Sequence, residues 1–374
     1  MRILFVAPAN SPHTIEWVSF FNKTKNSVRV VSLYSTALNK TLPDAPKIDD
    51  FNLSRFSSLN FLLSWLYLVL LLLFFRPNIV HAHTMGRHGL LTALLPKLFG
   101  VKIIMTPWGS DFFYALASPF KSKIIKFMLS RADVVTTDSE KIKKQIKSII
   151  TKPLKIQIVQ FGVDFHSVSK RLEAVSQKKK DTKRIISLRN HEPVYDNLTL
   201  LKSAKILLKR DKSFHFFIAG SGALTDSYKE YCCRNNISKN VHFLGKLSKA
   251  KLLEELSRSD LYISCSLSDA GIAKSTAESM AVGIPVIVSD VAENNKWVID
   301  GKTGYLFGAG DAKQLAQKIQ IALTTGNLSS ISKAGKMLIF EKNNLSKEML
   351  KMDRIYSELS SSTSENKGNL ESNV

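Results

Sequence analysis

At 374 residues, with 44% hydrophobic residues and a mean hydropathy of −0.02, the chain fits a globular protein of about two domains, each able to bury a sizeable core. Its 53 Lys and Arg against 31 Asp and Glu leave a net charge of +22, which calls for an anionic partner surface. Cys232, Cys233 and Cys265 offer neither metal-ligand spacing nor a disulfide framework, so metal-finger and disulfide-stapled scaffolds are excluded and a reducing cytoplasm is the simplest setting.

The opening Met-Arg-Ile-Leu-Phe-Val-Ala-Pro is too short an apolar run for a secretion signal and reads as a first strand over 3–7. Short Val/Ile-rich runs follow at 28–33, 79–83, 102–106, 134–137 and 156–160, with helical stretches between them. That alternation predicts a parallel, doubly wound sheet over residues 1–165. Interposed at 61–75 is Phe-Leu-Leu-Ser-Trp-Leu-Tyr-Leu-Val-Leu-Leu-Leu-Leu-Phe-Phe, apolar on every face. As a helix it spans about 22 Å, short of a bilayer core of about 30 Å. It is read as an in-plane or half-inserted membrane helix between Arg55 and Arg76, the alternative being a helix buried in the first domain.

Residues 166–183, with the run Lys178, Lys179 and Lys180, read as a linker. A second strand series at 184–189, 215–220, 241–245, 261–265 and 285–289 predicts a second domain of the same class over 184–340. Ligands of open α/β sheets bind beyond the carboxyl ends of the strands, so two such domains facing each other predict a cleft. A helix over 341–359 and a disordered polar tail over 360–374 complete the expected organisation.

The most informative stretch is Ser268-Asp-Ala-Gly-Ile-Ala-Lys-Ser-Thr-Ala-Glu278-Ser-Met-Ala-Val-Gly-Ile-Pro285-Val. Small residues at Ala270, Gly271 and Ala273 admit a ligand close to the backbone, and the amides of the helix that follows suit an anion such as phosphate. This stretch resembles the donor-binding signature of the retaining glycosyltransferases of family 4, which have the GT-B fold and use nucleotide sugars. The family pattern runs acid, seven residues, glutamate, then small-Met-Ala-x-Gly-x-Pro-Val. Glu278 onward matches, while the position of the first acid is Ala270, with Asp269 one residue earlier. Ser11-Pro-His-Thr14, Val80-His-Ala-His83, Thr106-Pro-Trp-Gly-Ser-Asp111, Phe161-Gly-Val-Asp164, Ile218-Ala-Gly-Ser-Gly222, Val241-His-Phe-Leu-Gly245 and Asp300-Gly-Lys-Thr-Gly-Tyr-Leu-Phe307 resemble further landmarks in the family's order.

The resemblance implies an α/β fold of two Rossmann-like domains and a set of site residues. Arg189 takes the place of the arginine that holds the donor phosphates. The usual lysine falls near Val194 or Tyr195, leaving Lys274 as the substitute. Glu278 would accept from the ribose hydroxyls, a task suited to a carboxylate, while Gly271, Ile272, Ala273 and Gly245 complete the donor side. His13 and Trp108 lie on the acceptor side, and Asp111 and His83 are the candidates for orienting the acceptor. Retaining transfer in this class uses the leaving phosphate to take the acceptor proton, so no protein nucleophile, cofactor or metal is expected. His81 and His83, on one face of a strand, lack an apparent third metal ligand.

The predicted activity is therefore transfer of a sugar, with retention, to a lipid-linked or envelope glycan at the cytoplasmic face of a membrane. Lys121, Lys123, Lys126, Lys141, Lys143, Lys144 and Lys147 would face anionic lipid, each contributing about 1 kcal/mol near the surface. Nucleic acid is not expected as a partner, because no helix-turn-helix, zinc-finger or aromatic RNA-binding pattern appears. The competing readings are a sugar-nucleotide epimerase or phosphorylase on a similar fold and a non-catalytic sugar-nucleotide-binding subunit. Product analysis separates the first, and tight donor binding without transfer would mark the second.

Overall fold

The computed structural model describes residues 1–33, 47–50, 57–94, 99–173 and 182–371. The chain divides into two compact units, Met1–Phe161 with Lys347–Val374, and Gly162–Ser346.

The first unit runs β1 (Arg2–Val6), α1 (Pro12–Asn22), β2 (Ser27–Ser32), β3 (Lys47–Asp50), α2 (Ser57–Phe74), β4 (Ile79–His83), α3 (Arg87–Leu94), β5 (Lys102–Thr106), α4 (Ser110–Leu116), α5 (Pro119–Arg131), β6 (Val134–Thr137), α6 (Glu140–Ile149) and β7 (Lys155–Ile158). Its seven parallel strands lie in the order β3-β2-β1-β4-β5-β6-β7. Helices cover both faces of such a sheet, so its strands carry continuous rather than alternating apolar side chains. Ile3, Leu4, Phe5 and Val6 of β1 are accordingly all fully buried. Strand order reverses between β1 and β4, the point at which ligands of this architecture collect.

The second unit contains α7 (Phe165–Glu173), β8 (Lys183–Ser187), α8 (Asn197–Leu208), β9 (Phe214–Ala219), α9 (Thr225–Arg234), β10 (Val241–Gly245), α10 (Lys249–Ser257), β11 (Leu261–Ser264), α11 (Lys274–Val282), β12 (Val286–Ser289), α12 (Asn294–Trp297), β13 (Tyr305–Phe307), α13 (Ala312–Thr324) and α14 (Leu328–Lys342). Its parallel order is β10-β9-β8-β11-β12-β13, and the reversal falls between β8 and β11, where Leu261 stands opposite Ile185. The final helix, α15 (Leu345–Glu371), buries Met349, Met352, Ile355 and Tyr356.

Three stretches differ from the sequence reading. The segment read as a linker begins with α7, because Val168 is buried in the core of the second unit beside Leu253 and Ala277. Its Lys178–Lys180 run, like Arg55, lies outside the described residues. The polar stretch after Leu359 continues α15 to Glu371, since it contains no proline and only one glycine to interrupt the helix; residues 372–374 lie outside the described residues. In α2, Ser64, Leu68, Leu71 and Leu72 are buried beneath β1, β2 and β4, while Leu62, Leu66, Leu70 and Leu73 are each 46–51% exposed. The helix is therefore both a core element and a carrier of an outward leucine stripe.

Candidate functional site

In the second unit the loops after β8 and β11 meet at the reversal of strand order. Arg189 lies two residues past β8. One of its guanidinium nitrogens donates to Asp269 Oδ1 at 2.7 Å and the other to Ser275 Oγ at 3.4 Å. The guanidinium also stacks on the Tyr195 ring, 4.3 Å from its centroid. Both charged side chains are nearly out of water, at 10% exposure for Arg189 and 8% for Asp269. Among the described residues the arginine Nε is buried with no hydrogen-bond partner, so this group retains a donor for an anion.

Asp269 also accepts from Asn294 at the start of α12 (3.4 Å), and Ser275 in the first turn of α11 is held by Tyr262 of β11 at 2.8 Å. Behind Arg189, the Asn197 amide donates to the carbonyls of Arg189 and Asn190, fixing the turn that presents the guanidinium. Gly220 and Gly222 lie flat against this turn. A Cβ on the first would come within 2.9 Å of the Arg189 carbonyl oxygen, and on the second within 2.5 Å of the His191 carbonyl oxygen.

Helix α11 begins after Ala273, which supplies no side-chain cap, and a helix amino end of this kind favours an anion. The helix stops at Gly283, whose φ of 93° is costly for any residue with a Cβ, and Pro285 leads into β12. Glu278 is buried on α11, and its carboxylate pairs with the Lys249 ammonium from the first turn of α10. Gly271, Ile272 and Ala273 form the loop just before α11, and Lys274 is its first residue. Gly245 ends β10 with φ +65° and nothing within 4 Å of where a Cβ would stand.

The sequence reading brought Arg189, Glu278 and the Gly271 loop to this region. It missed two partners. Asp269 holds Arg189 although it stands one residue before the position the family pattern marks, and Lys249 reaches Glu278 across a packing contact between α10 and α11. The first had a visible signal, an acid one residue out of register; the second had none.

In the first unit the groups read as acceptor-side gather at the ends of β1, β4 and β5. The His13 ring lies 5.4 Å from Trp108 and 4.1 Å from Phe161, and His83 lies 5.9 Å from Trp108. His83 is fully buried. Burial, reinforced by the neighbouring His88, pushes its pKa from 6.5 down to about 3. A base so weak is poorly matched to taking a proton from a hydroxyl near neutral pH, so its chemistry here is that of a neutral hydrogen-bonding imidazole. Asp111 accepts from the backbone amides of Met85 at 2.5 Å and Trp108 at 2.9 Å. Burial raises its pKa against the opposing pull of those amides. Asp111 thus ties together the loops after β4 and β5. His81 is spent on structure, with its ring nitrogens 2.6 Å from Tyr356 of α15 and 2.6 Å from Thr106. Among the described residues no three His, Cys, Asp or Glu side chains converge as a metal site.

Two family models match in succession, Glycosyl transferase 4-like over residues 2–139 and Glycosyl transferases group 1 over residues 168–336. The chain belongs to the glycosyl transferases group 1 family. Within that family it is 28% identical over 261 residues to N-acetyl-alpha-D-glucosaminyl L-malate synthase of Bacillus anthracis, a match spanning 65% of each chain. It is 23% identical over 299 residues, and 75% of each chain, to the Escherichia coli UDP-Gal:alpha-D-GlcNAc-diphosphoundecaprenol alpha-1,3-galactosyltransferase. Its fold is that of Anabaena HepE crystallised with UDP-glucose, with a TM-score of 0.78 at 13% identity over 96% of this chain and 100% of that one. The group 1 match begins at Val168 in α7, the helix whose burial places it in the second unit.

Proposed function

We propose that the protein is a retaining, metal-independent glycosyltransferase that carries a sugar from a nucleoside-diphosphate donor to a lipid-linked or envelope glycan at a membrane surface. The observation that carries this reading is the cluster at the β8 and β11 ends: Arg189 with its buried Nε, the amino end of α11, and Glu278 about one turn further along that helix. Diphosphate on the first two and ribose hydroxyls on the third satisfy both charge and hydrogen bonding.

In the reaction, the bond between sugar C1 and the β-phosphate oxygen breaks, and the acceptor oxygen bonds to C1 on the same face. The acceptor proton passes to the departing phosphate oxygen. Arg189 and the α11 amides hold the negative charge that grows there, the arrangement that lowers such barriers most. Asp111 and His83, with His13 and Trp108, would orient the acceptor.

The membrane half of the proposal is supported by the surface of the first unit. The leucine stripe of α2 is solvent-facing, and α5 presents exposed Phe120 and Phe127 among Lys121, Lys123 and Lys126. Helix α3 packs against both α2 and α5, so these features sit on neighbouring helices. Among the described residues no helix is long and apolar enough to cross a membrane, which fits a peripheral, interfacial attachment. The Escherichia coli relative, whose name specifies a diphosphoundecaprenol-linked acceptor, supports an acceptor of that class.

A thermal-shift screen of nucleotide sugars followed by transfer to membrane extracts tests the proposal. A donor-specific rise in melting temperature and a labelled, lipid-extractable product are expected. Isomerised donor formed without acceptor would replace transfer by epimerisation.

A further inference from the structure

Lys249 is the first residue of α10, the helix that follows β10, and its ammonium pairs with the Glu278 carboxylate. The two partners differ in freedom. The Glu278 side chain is 5% exposed and fixed by α11, whereas that of Lys249 is 41% exposed and ends a flexible four-carbon stem. Position along the sheet matters too. The groups suited to phosphate, Arg189 and the amino end of α11, follow β8 and β11, while Lys249 follows β10, two places from β8 in the strand order. A nucleotide laid with its phosphates at β8 and β11 and its ribose on Glu278 therefore turns its base toward the end of β10. Gly245 stands there, and its missing side chain leaves the space beside it open.

Resting on the donor-site reading above, we propose that Lys249 determines the nucleobase: its ammonium yields Glu278 to the ribose hydroxyls and donates to a keto oxygen of the base. An ammonium has donors only. It complements O4 of uracil or O6 of guanine, and it faces a competing donor at the amino groups of cytosine and adenine. The pair with Glu278 keeps the buried carboxylate compensated until the nucleotide arrives. Lys249, rather than Lys274, is then the second cation of the donor site, placed for the base instead of the phosphates.

The test is calorimetric titration of UDP, CDP, GDP, ADP and uridine into the wild-type protein, Lys249→Met, Lys249→Arg and Glu278→Ala. The wild type is expected to favour the keto member of at least one pair, UDP over CDP or GDP over ADP, by about tenfold. Lys249→Met should erase that preference by weakening the keto nucleotide alone, and Lys249→Arg should keep it. Equal weakening of both members of a pair would reduce Lys249 to a counter-ion and overturn the proposal, as would a wild type without keto preference. A Lys249→Met effect on UDP that is absent for uridine would mark a phosphate contact and also overturn it. Unchanged binding in Glu278→Ala would instead defeat the donor-site reading, independently of Lys249.

Discussion

Removing Asp269 tests whether Arg189 is a phosphate-binding cation held ready by its partner. Arg189 and Asp269 are 10% and 8% exposed and joined at 2.7 Å, so Asp269→Ala leaves a guanidinium desolvated and uncompensated. Breaking a buried pair in this way costs about 3–5 kcal/mol. For a unit of this size that lowers the melting temperature by about 6–20 °C, at roughly 2–4 °C per kcal/mol. The same uncompensated charge is what a diphosphate would satisfy. Thermal unfolding with and without UDP should therefore show a larger UDP-induced rise in Asp269→Ala than in the wild type, while uridine, which has no phosphate, should show no such difference. A drop below about 2 °C, or a UDP rise smaller than the wild type's, would refute the assignment of Arg189 and Asp269 as a poised phosphate site.

Gly222→Ala should destabilise the second unit by about 1–3 kcal/mol, because its Cβ would meet the His191 carbonyl oxygen, which is backbone and yields poorly; an unchanged denaturation midpoint would contradict the close approach. His83 and His88 have pKa values pushed by burial from 6.5 to about 3. Between those values the unfolded chain binds protons that the folded chain refuses, so stability is intact above pH 6.5 and falls as pH drops through the window. The loss amounts to about 2 kcal/mol per histidine at pH 5, and His88→Gln should flatten the decline measured by denaturant titration. Leu66→Glu with Leu70→Glu changes exposed positions and should move stability by no more than about 0.5 kcal/mol each, yet weaken sedimentation with phosphatidylglycerol vesicles at least about tenfold; undiminished sedimentation would remove α2 from the membrane contact.

Much of the fold was legible because parallel strands buried on both faces write themselves as apolar runs. The expected strands at 79–83, 102–106, 134–137 and 241–245 coincide with β4, β5, β6 and β10, and the other expected strands shift by a residue or two. Strand β3, Lys-Ile-Asp-Asp, escaped notice because an edge strand carries charge rather than a Val/Ile run. Helix α7 escaped because Val168 and Leu172 are sparse apolar residues in a charged segment, and only their packing marks them as core. In the site, Arg189 and Glu278 were visible from their place in a local pattern. The contacts of Asp269 and Lys249 depend on how the β8 turn meets the β11 loop and how α10 packs on α11, which spacing along the chain does not encode.

The central claim is that the loop and helix from Asp269 to Glu278, with Arg189, hold a nucleotide-sugar donor. Release of nucleoside diphosphate from the donor identified by thermal shift, measured with membrane acceptor for the wild type, Arg189→Ala and Glu278→Ala, tests it most directly. The account predicts at least about a hundredfold loss of kcat/KM in each variant, with both still folded, corresponding to about 2.7 kcal/mol of lost transition-state binding. Full turnover in Glu278→Ala would contradict it.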